Sequence, residues 1–358
     1  MIEDELRATF ARHEELVPPA GPLRAAIDRI AARRRRRRNV VRTTTAALAV
    51  LAVVSVPVLQ RTLAANPASI GVLPAGSPGS STGPDTALNF LLLGLDGQAV
   101  GDNTNRADSV LIVHVPRDRS GVYLVALPRD LGVDIPGYRF GKLNEAFYHG
   151  SDRSGTAPDL AGGARLTART VTGLTGLTFD GTAVLTFDGL RQLTDAVGGV
   201  RLCLPTPVQS WHTKRVYPAG CQQFDGAAAL DLLRQRWGLA AGAYDRDRNA
   251  QRFAAALLAT VTSSETLTNP IRLSALLQAG GDGLSIDTGK LALGDLLPLV
   301  SEVRGMEPVG IGWEFRSTKV GGVEYGQLDP ALSGSLFDAL RGDTLAGWVA
   351  AHPDRVTR

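Results

Sequence analysis

The residues able to do chemistry in this sequence are carboxylates and guanidinium groups placed where apolar runs end. Asp96 follows the run Phe90–Leu95, Arg106 and Asp108 precede Ser109–Val115, and Arg129 with Asp130 follows Val122–Leu127. Lys142 and Asn144 come in Gly141-Lys-Leu-Asn-Glu-Ala146, and Arg234 and Arg236 close a helical stretch. Arg246 and Arg248 sit in Tyr244-Asp-Arg-Asp-Arg-Asn249. Sites of alternating α/β folds lie at strand ends. Two or three carboxylates suit a hard divalent cation, Mg²⁺ or Mn²⁺, that shares its shell with substrate phosphate. Arginine suits phosphate because its planar fork donates two parallel hydrogen bonds. Together they read as a pyrophosphate site. Each residue also has a plainer reading: Asp96 in a turn, Arg106 with Asp108 as a surface ion pair, Arg234 and Arg236 favoured by a helix dipole.

Other chemistries find less support. The nucleotide-binding patterns Gly-x-x-x-x-Gly-Lys-Ser/Thr and Gly-x-Gly-x-x-Gly are missing. His114, His149 and His212 are scattered, which disfavours zinc. No Gly-x-Ser-x-Gly elbow joins a strand to a helix. A net charge of +3 over 358 residues argues against a nucleic-acid partner.

The candidate residues need a frame. Apolar runs predict strands at Asn89–Leu95, Ser109–Val115, Val122–Leu127, Ala183–Thr186 and Val200–Leu204. Helical spacing covers Pro158–Leu174, Phe187–Val197, Phe224–Trp237 and Asn249–Thr262. This alternation predicts an α/β fold, a mixed α-β sandwich with a central sheet flanked by helices. After Ser263 the pattern is mainly helical to Val303. A strand at Val309–Phe315, a turn at Gly321–Tyr325 and a last helix at Ala331–Leu340 follow. The domain is expected over residues 87–262, with 263–358 as an extension packed on it.

Ahead of the domain, residues 43–63 carry no charge from Ala46 to Leu59 and predict a single transmembrane helix near the minimum length for one. A cleaved signal peptide is the competing reading, weakened by the length of chain before it. Arg33–Arg38 abuts the apolar run, so the positive-inside rule puts residues 1–42 in the cytoplasm and the rest of the chain outside. Arginines so placed also suit anionic membrane lipid. Residues 64–86, rich in Pro, Gly, Ser and Thr, read as a flexible stalk. Cys203 and Cys221 both fall outside. In an oxidising compartment they would pair, closing a loop of roughly 17 residues and stabilising the fold by about 3 kcal/mol. The alternative is two buried thiols.

The order of several short words resembles the LytR-CpsA-Psr family of cell-wall glycopolymer transferases, in its actinobacterial form. They include Leu91-Leu-Leu-Gly-Leu-Asp96, Arg106-Ala-Asp-Ser-Val110, Leu127-Pro-Arg-Asp130, Lys142-Leu-Asn-Glu-Ala146, Phe187-Asp-Gly-Leu190, Phe224-Asp-Gly226 and Ala229-Leu-Asp-Leu-Leu-Arg-Gln-Arg236. The resemblance implies a membrane-anchored enzyme that moves a phosphate-linked glycopolymer from a polyprenyl-pyrophosphate carrier to peptidoglycan. It implies Asp96 and Asp108 as ligands of Mg²⁺ (or Mn²⁺), and Arg106 and Arg129 as phosphate contacts. Arg234, Arg236 and Arg246 fall on the far side of the pyrophosphate. Lys142 and Asn144 stand nearby, and Asp130 steadies Arg129. Arg106, Asp108 and Arg129 form the catalytic core, and an apolar tunnel holds the lipid tail. The chain departs from the family pattern at Gln98, Ala107, Ala243 and Ala250. The family's last arginine aligns with Arg246, or with Arg248 if the register slides by two. A non-catalytic lipid-linked glycan scaffold is the alternative. Transcriptional control would need a DNA-binding helix pair that residues 1–42 lack.

Overall fold

The computed structural model describes residues 85–95, 105–151, 159–235, 237–239, 242–263, 276, 283–289, 291, 293–313 and 315–357. The expected cytoplasmic segment, membrane helix and nearly all of the stalk lie outside them, as do Asp96 and Arg236. No helix among the described residues is long and apolar enough to cross a membrane.

The chain begins with β1 (Leu88–Leu95), β2 (Ala107–Val115), β3 (Tyr123–Leu127), β4 (Gly132–Asp134) and β5 (Phe140–Lys142). Next come α1 (Leu143–Ser151), α2 (Leu160–Thr175), β6 (Gly181–Leu185), α3 (Phe187–Ala196), β7 (Val200–Leu204), β8 (Val208–Gln209), β9 (Val216–Tyr217) and β10 (Gly220–Phe224). They are followed by α4 (Gly226–Leu233), α5 (Ala243–Val261), β11 (Leu284–Asp287), α6 (Leu293–Glu302) and β12 (Val309–Ile311). The chain closes with β13 (Phe315–Val320), β14 (Val323–Leu328), α7 (Pro330–Arg341), α8 (Leu345–Ala351) and β15 (Val356–Thr357).

Seven strands form one mixed sheet in the order β11-β6-β1-β2-β3-β12-β15. β1 pairs antiparallel with β2 and parallel with β6. Strand alternation divides the core in two. Leu91, Leu93, Leu95 and Ile112 turn to the face covered by α1, α2, α7 and α8. Leu88, Val113 and Leu124 turn to the other face, where Leu258 of α5 and Leu299 of α6 meet them. A third cluster joins β7, β10, α4 and Phe253 of α5. Because β11, β12 and β15 enter the main sheet, residues after 262 share the layer that carries the site.

Helix starts follow side-chain caps. Thr186 accepts from the Gly189 N–H, Asp225 from the Ala228 N–H and Asp329 from the Leu332 N–H. The glycines of the two Phe-Asp-Gly words mark close approaches. A Cβ on Gly189 would collide with the Gly283 backbone, and one on Gly226 with that of Arg191. Two expected helices change their bounds. Phe224 ends strand β10 instead of opening a helix, because Asp225 is the cap, and α4 stops at Leu233. α5 begins at Ala243 rather than Asn249, with Asp245 in its first turn and facing Arg248. Cys203 and Cys221 stand directly opposite on β7 and β10 and form a disulfide.

His114 on β2 is wholly buried, with Nε2 3.1 Å from the Asp343 carboxylate and Nδ1 2.8 Å from Asn89 Oδ1. Burial pushes its pKa below the ordinary value and outweighs the pull of Asp343. The folded state therefore binds this proton less readily than the unfolded chain. The associated stability is present above about pH 6.5 and is lost as pH falls. A His114→Gln variant should lose stability less steeply than the parent between about pH 7 and 5.5, read from urea midpoints; parallel slopes would remove His114 as the cause.

Candidate active site

Sheet register assembles the site. Leu95 stands opposite Ala107 and Val110 opposite Leu127, so the start of β2 lies between the ends of β1 and β3. β6 ends at the same edge, with Leu185 beside Gly94. Asp108 and Arg129 meet there: the Arg129 Nη1 donates to Asp108 Oδ2 at 2.5 Å. The Arg129 Nε donates to Asp130 Oδ2 at 3.3 Å, and Lys142 Nζ to Asp130 Oδ1 at 3.0 Å. After β3 the chain turns through a Leu131 N–H to Pro128 carbonyl bond. The β4–β5 hairpin then returns it, and the Asn144 N–H donates to the Arg129 carbonyl at 3.0 Å. Asn144 thus steadies the Arg129 backbone. Its side chain is buried, and Oδ1 has no hydrogen-bond partner among the described residues. Arg106 is exposed, with its guanidinium 5.9 Å from the Tyr148 ring centroid.

This chain of charges shifts its own titrations. Burial alone would lower the Arg129 pKa, but Asp108 and then Asp130 hold it above the ordinary value. Burial alone would raise Asp130, but Lys142 and Arg129 keep its carboxyl below the usual range.

Behind the charges, a cavity of about 1090 Å³ runs between α5 and the sheet. α5 lines it with Ala250, Phe253, Ala254, Leu257, Leu258 and Val261, one stripe at helical spacing. The sheet adds Leu92, Gly94, Leu111, Ala183 and Leu185, and α3 adds Leu190 and Leu193. Leucine provides the apolar wall and alanine leaves the room. Asp108, Arg234, Arg246 and Asp247 are the charged side chains on this lining. Arg234 caps the end of α4, 5.3 Å from the Phe187 ring centroid. Arg246 is 8% exposed. Arg248 lies two residues further, about 200° around the helix, and lines a separate polar cleft of about 990 Å³ with Phe315, Arg316 and Arg355.

The structure thus links Asp108, Arg129, Asp130, Lys142 and the Asn144 backbone, and sets Arg234 and Arg246 on the same cavity as Asp108. Arg106 is exposed beside Tyr148. Sequence reasoning missed Asp247. Its carboxylate pairs with Arg246 at 2.9 Å. Burial pushes its pKa above the ordinary value, against the opposing pull of Arg246. No motif marked it; only the extension of α5 to Ala243 puts it on the cavity. Among the described residues no three His, Cys, Asp or Glu side chains cluster as a metal cage.

Arg234 and Arg246 thus share with Asp108 the lining of a largely apolar cavity. The chain belongs to the LytR_cpsA_psr family, which matches residues 73–321. It is 32% identical over 281 residues to the probable cell wall biosynthesis protein LcpB of Corynebacterium glutamicum, covering 74% of this chain and 64% of that one. It is 30% identical over 173 residues to the polyisoprenyl-teichoic acid–peptidoglycan teichoic acid transferase TagU of Oceanobacillus iheyensis, covering 48% and 51%. The chain therefore spans less than two thirds of the length of these curated relatives. Its fold matches that of TagT bound to LIIa-WTA with a TM-score of 0.58 at 20% identity, over 75% of this chain and 94% of that one.

Removing one member of the Arg246–Asp247 pair strands its buried partner. Arg246→Ala should cost on the order of 3 kcal/mol in urea unfolding, and the double change with Asp247→Asn clearly less. Additive single and double losses would show that the two groups do not depend on each other.

Proposed function

We propose that this protein moves a phosphate-linked glycopolymer from a polyprenyl-pyrophosphate carrier to a peptidoglycan hydroxyl. One observation carries this reading: Arg234 and Arg246 line an apolar cavity of about 1090 Å³ together with Asp108, and Asp108 is bonded to Arg129. The names of the relatives point the same way.

In this reading the tail lies along the alanine and leucine stripe of α5. The pyrophosphate lies among Arg106, Arg129, Arg234, Arg236 and Arg246, with Lys142 and Asn144 behind Arg129. The acceptor oxygen bonds to the sugar-proximal phosphorus, the bridging P–O bond breaks, and polyprenyl phosphate leaves with the bridging oxygen. The hydroxyl proton goes to water. The pyrophosphate linkage supplies the driving force, so no nucleotide is needed. Fixed guanidinium groups stabilise charge that grows on the phosphoryl and leaving oxygens.

The donor chemistry also fits a hard cation, Mg²⁺ or Mn²⁺. Asp108 lines the cavity beside the arginines, and such an ion takes one or two protein carboxylates and completes its shell with water and phosphate. Asp108 and Asp96 would hold it, and when bound it would add positive charge at the phosphate oxygens. The proposed setting is the cell membrane: residues 43–63 span it once, residues 1–42 face the cytoplasm and the domain faces the wall.

Transfer from a synthetic polyprenyl-pyrophosphate saccharide to peptidoglycan fragments tests the reading. Arg129→Ala should lower kcat by roughly 100-fold or more while keeping the far-ultraviolet circular dichroism spectrum, and chelation of divalent cations should abolish transfer. Undiminished turnover in the variant would sink the assignment of Arg129. Separately, Ala254→Trp should fill the cavity and raise KM for long-tailed donors by roughly tenfold, with little effect on donors of two or three prenyl units. Equal effects on both would place the tail elsewhere.

A further inference from the structure

The loop between β8 and β9 is tied down by hydrogen bonds and displays an indole. Ser210 is wholly buried, and its Oγ donates to Asp231 Oδ1 at 2.8 Å. Thr213 and Tyr217 hydroxyls both donate to Asp231 Oδ2 at 2.7 Å. The Trp211 N–H donates to Gln235 Oε1 at 2.8 Å, and Gln235 is itself wholly buried. This network fixes the tip. What the tip displays is the Trp211 indole, 60% exposed, with the Lys214 ammonium 4.2 Å from its ring centroid. Arg215 and Val216 are exposed beside it. Trp237, 69% exposed, lies on the rim of the same apolar cavity as Trp211.

A loop held by this network that shows water an indole flanked by cations is complementary to one kind of surface. Tryptophan concentrates where a bilayer meets water, because its ring is apolar and its N–H polar. Lysine and arginine beside it meet anionic headgroups. We propose that Trp211, Trp237, Lys214 and Arg215 dock the cavity rim onto the interface of an anionic lipid bilayer. The contact would give a tail a path from bilayer to cavity that does not cross water. In this use it rests on the cavity's reading as a prenyl site.

The test needs no donor and is independent of transfer. The chain has four tryptophans, and Trp313 and Trp348 are buried at 7% and 8% exposure. Residues 1–84 contain none, so an N-terminal anchor contributes no signal. The full chain is mixed with vesicles of phosphatidylglycerol and phosphatidylcholine in equal parts, with the acyl chains brominated to quench nearby indoles. Emission should fall substantially in the parent. A Trp211→Phe/Trp237→Phe double variant should show almost no loss. Lys214→Glu/Arg215→Glu should need roughly tenfold more lipid for the same quenching. Unquenched parent emission, or quenching that survives in the double tryptophan variant, would overturn the proposal. The same holds if the charge reversals leave the lipid requirement unchanged.

Discussion

The contact between Arg129 and Asp108 is the constraint on which the site depends. It joins the end of β3 to the start of β2 with both side chains less than one-fifth exposed. A guanidinium this far from water needs compensation, and it has it twice, from Asp108 and Asp130. Lys142 then balances Asp130. Two acids and two bases thus form a neutral chain. In the proposed reaction a donor phosphate would go to Arg129 and a cation to Asp108, the two exchanging with that chain as a pair. Neither need leave a buried charge alone.

The other half of the site depends on how α5 is seated. Gln251 is buried, and its Nε2 donates to the carbonyls of Leu124 on β3 and Ile311 on β12 at 3.3 and 2.6 Å. That amide fixes the rotation of the helix over the sheet. Once it is fixed, the alanine and leucine stripe faces the cavity, Arg246 and Asp247 stand on its lining and Arg248 belongs to the neighbouring cleft. Arg246 and Arg248, two residues apart, therefore face different cavities.

Much of the frame was legible from apolar runs, because the central strands β2 and β3 are buried on both faces and read as near-continuous apolar stretches. The placement of Asp108 and Arg129 at strand ends followed from the same runs. What was not legible needed partners distant in sequence. β10 is a short Gly-Cys-Gln-Gln-Phe segment with no apolar alternation, and only pairing with β7 makes it a strand. β15 is two residues long and gains its place from β12. The cavity could not be read because Ala250, Ala254 and Leu257 have the pattern of any packed helix. Asp247 stayed hidden because a carboxylate between two arginines looks like a solvated face until the helix is known to start before it.

The disulfide has a consequence beyond cohesion. Cys203 and Cys221 close a ring of chain that contains β8, β9 and the tip bearing Trp211. Oxidation therefore acts on the loop that displays the indole. A chain kept reduced would lose the clasp at the base of the loop that displays Trp211. In this way one covalent bond makes the loop's final form depend on where the chain matures, a record of itinerary written into the fold.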